Sequence, residues 1–189
     1  MPNLKLRSQR QVAQRCSVLR GEVSAGLQAA NPSAADAIWS AEALGTLLWA
    51  QGLIELPAYD SPFAAGTVVA VDGSAGRLRA TPEIELELDA ARLWHWRART
   101  TVLQALGKVE LPESYSTFEQ LVGATAMRGY EQGLLPSPLR GDFRAYGKAY
   151  RQLSETEHAE ALSIAYERQR ALAWLGGAGR SWDDVSVDT

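Results

Sequence analysis

Glu42, His95, Arg97, Glu167 and Arg168 are ionisable side chains in unusual company, because each falls among apolar neighbours on a segment with helical periodicity. Glu42 shares a helix face with Trp39, Thr46 and Trp49. Arg97 projects onto the arc of Leu86, Ala90 and Leu93, and His95 is interleaved with the same apolar run. Arg168 falls between Ala161, Ile164, Leu172 and Leu175, while Glu167 borders Ala171 and Trp174. A carboxylate or guanidinium in such surroundings must be paired, hydrogen-bonded or neutralised. Two arrangements meet that demand. One is an internal ion-pair network that fixes the register of the helices; the other is a polar pocket able to hold an anion or move a proton. The sequence favours the network and pairs Arg168 with Glu42, the one carboxylate on its helix beyond the capping turn.

A second candidate region runs from Leu134 to Leu153, where Pro136, Pro138, Gly141 and Gly147 interrupt any regular pattern and Phe143, Tyr146 and Tyr150 alternate with basic residues. Aromatic residues at that density need somewhere to bury, so the segment reads as an ordered covering loop. Arg140, Arg144, Tyr146 and Lys148 are its candidate lid or partner-facing residues.

The elements that carry these residues are marked by their ends. Ser33 with Asp36, Ser116 with Glu119 and Ser154 with Glu157 have the spacing of a capping box. Thr81-Pro82-Glu83 adds a capping Thr with Pro in the first turn. Glycine closes the segments at Gly52, Gly107, Gly133 and Gly176-Gly177. With a first helix from Ser8 to about Gln28, the expectation is an all-α bundle of about five helices in one domain over residues 1–189. Its centre is the Ser33 to Gln51 helix, flanked by Pro82 to Leu106 and Glu155 to Leu175. The β-branched Thr67-Val68-Val69-Ala70-Val71 run, ending at Asp72-Gly73, predicts a small hairpin near residues 67–80. Trp39, Trp49, Trp94 and Trp174 lie on or beside apolar arcs and are expected in the core; Trp182 is expected to pin an acidic tail.

Composition narrows the function. The 189 residues are 46% hydrophobic and 22% charged, with a net charge of −3, a globular balance. The most apolar stretch, Ala43 to Ile54, is too short to span a bilayer, and no apolar leader stands at the start; a cytoplasmic location is expected. Cys16 is alone and only His95 and His158 offer imidazoles, so neither a metal nor a cofactor is expected. Residues 1–20 carry Lys5, Arg7, Arg10, Arg15 and Arg20 with no acid, whereas residues 31–90 carry nine acids against Arg77 and Arg79. A pI near 5.5 lacks the positive field that nucleic acid uses; the basic helix is expected to lie on the acidic body. The 72–76 stretch lacks the first glycine of a nucleophile elbow, and 176–179 lacks the spacing of a phosphate loop.

Three stretches together resemble the bacterial family called domain of unknown function 4272: Trp39 to Leu44 through Leu48-Trp49-Ala50-Gln51-Gly52 with Leu56-Pro57-Ala58-Tyr59-Asp60; Ala91 to Arg99; and Glu167 to Leu175 followed by Trp182-Asp183-Asp184-Val185 and Asp188-Thr189. Ser40, Gln169 and Ala173 depart from the resemblance, standing where its members often carry a basic residue, a histidine and an asparagine. The resemblance implies a mainly helical bacterial protein and carries no activity, cofactor or partner. The combined expectation is a non-enzymatic module that binds another protein, of the kind represented by antitoxins and immunity proteins, whose acidic face meets a basic partner; a second copy of the chain is a further candidate partner. The alternative is a small enzyme or anion-binding protein built on the Glu/His/Arg cluster.

Overall fold

The computed structural model describes residues 4–28 and 34–187, with the side chains of 34–38 set aside. The chain is mainly helical: α1 (Gln9–Gln28), α2 (Ala34–Ala50), a short α3 (Ala65–Ala70), α4 (Thr81–Ala105), α5 (Phe118–Glu131), an antiparallel hairpin of β1 (Arg144–Ala145) and β2 (Lys148–Ala149), a 3-10 turn at Tyr150–Gln152, and α6 (Glu155–Leu175). Every residue of α2 from Ala41 to Ala50 is buried, as its nearly uniform apolar circumference requires. That helix packs against α1 on one side and α6 on the other, and α6 in turn packs on α4. A continuous apolar cluster runs from Val12 of α1 through α2, α4 and α6 to Val187. No helix among the described residues is long and apolar enough to cross a membrane.

The capping chemistry locates some helix starts and misplaces others. Ser154 and Glu157 form a full capping box at α6. The start marked by Ser33 with Asp36 lies outside the described residues. At α5 the cap is Thr117, whose hydroxyl accepts from Gln120 N–H, one residue later than Ser116 with Glu119 would place it. At α4 the carbonyl of Ala80 already accepts from Glu83 and Ile84, so Thr81 is inside the helix and caps nothing. Gly107 and Gly133 end α4 and α5 with left-handed φ of 65° and 73°.

The hairpin stands at 144–149 and not near 67–80. Val68 is fully buried in α3, and the return segment spends its donors elsewhere: Arg77 and Arg79 N–H donate to the Gln51 and Ala50 carbonyls at 3.0 and 2.8 Å, ending α2 rather than pairing with residues 67–71. Tertiary contacts override a β-branched preference. The true hairpin turns through Tyr146 and Gly147, both left-handed at φ 51° and 68°, as a two-residue turn matching the strand twist requires.

Trp49, Trp94 and Trp174 are 8%, 4% and 6% exposed, whereas Trp39 is only half-buried and borders two surface clefts. Trp182 does pin the tail: its ring meets Trp174 edge-on at 5.6 Å, with the Arg15 and Arg170 guanidinium groups 4.1 and 5.0 Å from its centre. The basic N-terminal segment is held differently from the expectation. Arg7 donates to the carbonyls of Trp174, Ala178 and Gly179 at the end of α6, and Arg20 to that of Val71; carbonyls and indole faces, more than carboxylates, hold its arginines.

Candidate binding cleft

The internal charges form two separate clamps. In the first, Arg168 of α6 is fully buried and its Nε donates to Oε2 of Glu42 on α2 at 3.0 Å, the pairing the sequence suggests. The rest of the guanidinium reaches into the loop after α2, donating to the carbonyls of Pro57 (2.7 Å), Ala58 (3.3 Å) and Ser61 (3.0 Å). The other Glu42 oxygen accepts from the Phe63 N–H of the same loop. The rings of Tyr59 and Phe63 lie 4.7 and 5.4 Å from the guanidinium carbon. Burial pushes the Glu42 carboxyl up, opposed chiefly by Arg168.

In the second clamp, Arg97 of α4 makes a two-pronged bond to Asp142, Nε to Oδ1 at 2.8 Å and Nη2 to Oδ2 at 2.9 Å, with both side chains almost wholly buried. Asp142 also accepts from Phe143 and Arg151 N–H at 2.8 and 2.9 Å. Arg140 and Gly141, both left-handed at φ 52° and 72°, turn the chain so that Asp142 points inward. Arg97 also donates to Thr101, and the Tyr150 ring lies 4.7 Å from its guanidinium carbon. A bidentate guanidinium–carboxylate bond with added backbone donors is the geometry in which a buried ion pair offsets its desolvation.

The five candidate residues are therefore not one site. Glu42 and Arg168 hold the 57–63 loop; Arg97 holds the 139–151 segment. His95 is buried with its ring edge-on to Tyr166 at 5.7 Å, beside a cleft of about 410 Å³ that Glu167 and Trp39 also border. Glu167 is the exception in its chemistry: burial raises its carboxyl to about 7, and its nearest cation, Arg170, is 4.0 Å away.

The lid residues divide similarly. Arg140 is exposed and offers its carbonyl to Arg151. Lys148 pairs with Glu157 at 2.7 and 3.0 Å, holding that half-buried carboxyl at about 2. Tyr146 latches the hairpin down, its N–H donating to Asp60 at 2.6 Å and its hydroxyl to Glu160 at 2.9 Å. Arg144 is exposed and lines a third cleft.

That cleft, of about 520 Å³, lies between the two clamped segments. One wall is the 55–60 loop, with Glu55, Leu56, Pro57, Tyr59 and Asp60; the other is Leu134, Pro136 and Arg144; Trp49 closes one side, and Glu87, Ala90 and Trp94 present one face of α4 between them. Tyr59 stacks on Trp94 at 5.3 Å and donates its hydroxyl to Glu87 at 2.8 Å. Burial raises the Glu87 carboxyl and pushes the Tyr59 hydroxyl far up. Asp142, Tyr59, Asp60 and Glu87 are site residues that the sequence pattern did not mark. A signal for Glu87 was present: Glu87, Ala90 and Trp94 recur at i, i+3 and i+7.

Among the described residues no group of three or more His, Cys, Asp and Glu side chains could hold a metal ion. No protein-family model, curated protein or solved structure matches the chain.

Proposed function

We propose that the protein is a non-catalytic recognition module that engages another protein through the cleft between the 55–60 loop and the 134–147 segment. The observation that carries this reading is that the buried arginines are consumed in holding the walls of that cleft, with their guanidinium donors directed at carboxylates and carbonyls. A preorganised, half-apolar cleft on rigid supports suits binding. Its lining holds no Ser, Cys or His to act as nucleophile or imidazole base. The acidic balance of the chain supports a basic partner, the pattern of antitoxins and immunity proteins. The catalytic alternative rests on Glu167, whose raised carboxyl stands beside the His95 cleft.

The test compares capture from the native lysate by tagged wild-type protein and by Ala58→Arg, a change on an exposed cleft residue. A partner held by the wild type and lost by the variant supports the reading. Equal capture by both contradicts it.

A further inference from the structure

Two carboxylates in the cleft are held by the protein through one oxygen each. Tyr59 hydroxyl donates to Oε1 of Glu87, and Tyr146 N–H to Oδ2 of Asp60. From the described residues, Oε2 of Glu87 and Oδ1 of Asp60 receive no hydrogen bond. Each is thus a fixed acceptor with capacity to spare, and a donor entering the cleft meets it without first having to order it. Glu55 adds a third negative charge, against Arg144 as the one cation among the lining residues. Beside these charges the walls are apolar, Leu56 and Pro57 on one side and Leu134 and Pro136 on the other. The pattern of apolar walls leading to carboxylates is complementary to a side chain with a methylene stem and a cationic head. A guanidinium fits two carboxylates better than an ammonium does, because its donors are spread over a planar fork and it is less strongly hydrated.

We propose that the cleft is a pocket for an arginine side chain of the partner protein, with Glu87 and Asp60 accepting from the guanidinium and Leu56, Pro57, Leu134 and Pro136 packing its stem. The inference rests on the reading of this cleft as a protein-docking site. Glu87 is the stronger recognition element, since it is half-buried against Tyr59 and a charge partner there is screened less than on open surface.

The probe is Nα-acetylarginine methylamide, titrated against the full chain while the indole N–H signals of its six tryptophans are followed by NMR. The expected result is saturable shifts at Trp49 and Trp94, with Trp174 and Trp182 unmoved. The neutral citrulline analogue should bind at least about tenfold more weakly, as loss of charge-assisted hydrogen bonds implies. Glu87→Gln should weaken the arginine compound at least about fivefold; the amide still offers Tyr59 an oxygen, and unchanged Trp174 and Trp182 signals certify the fold. Equal binding of the citrulline analogue, indifference to Glu87→Gln, or no shift at Trp49 and Trp94 overturns the inference. Tighter binding of spermidine than of the arginine compound also overturns it, in favour of a free polyamine. In lysate capture, a partner lost by Ala58→Arg yet fully kept by Glu87→Gln with Asp60→Asn overturns the arginine pocket and leaves the docking reading standing. Retention by Ala58→Arg removes the docking reading itself.

Discussion

Replacing Arg168 by Met removes the guanidinium that joins α6 to α2 and to the 57–61 loop, and the consequences can be ranked from its partners. Three of the acceptors it leaves are carbonyls, two of them on Ala58 and Ser61, which are exposed residues, so water can replace the lost donor. The fourth is the carboxylate of Glu42, fully buried and left with the Phe63 N–H. The orphaned charge dominates, and loss of one partner of a buried pair costs ~3–5 kcal/mol. Neutralising that carboxylate removes the main penalty, so Glu42→Gln with Arg168→Met should be more stable than the sum of the single changes predicts, with a coupling of ~1–3 kcal/mol. Urea unfolding of the four proteins at neutral pH, followed by tryptophan fluorescence, measures it. Effects that add to within ~0.5 kcal/mol would contradict the pairing, because two groups bonded at 3.0 Å cannot be energetically independent.

Glu167→Gln should stabilise the protein above pH 7 and lose that advantage toward pH 4.5, measured by melting temperature across pH: the folded carboxyl titrates at about 7 against an ordinary 4.5, so ionisation there opposes folding and protonation relieves it. Gly45→Ala should destabilise by ~1–3 kcal/mol although alanine is the better helix former, since its Cβ would clash with the buried ring of Phe63; urea unfolding reads the sign. Cys16, buried with its thiol raised to about 12 and accepting from Gln51 at 3.3 Å, should react with a disulfide reagent only through opened molecules, so that with reagent slow relative to refolding mild urea accelerates labelling in step with the unfolded fraction.

The parts of the molecule legible in the sequence are those fixed by local rules. Glu42 and Arg168 could be paired because both lie on long helices whose projection leaves them inside an apolar arc. The box of Ser154 and Glu157 is likewise a local bond. Asp142 was not legible as the partner of Arg97, because the two are 45 positions apart with four left-handed residues between them, and the turn at Arg140 puts a non-glycine residue in a conformation that sequence does not signal. The cleft was illegible for the same reason. Its walls come from loops, and their positions depend on which carbonyls a distant arginine reaches. The 67–71 stretch failed in the opposite direction: its local preference was clear, and burial of Val68 in a short helix overrode it.

The buried arginines hold the cleft walls in place. Hydrogen exchange read by mass spectrometry on wild type and Arg97→Met tests it directly. Asp142 receives the Phe143 and Arg151 N–H groups, and Tyr150 N–H donates to the Phe143 carbonyl at 2.8 Å, so all three amides depend on that clamp. Faster exchange is expected over residues 139–153 in the variant, with α1 and α2 unchanged. Unaltered protection of that segment in a folded Arg97→Met protein would contradict it.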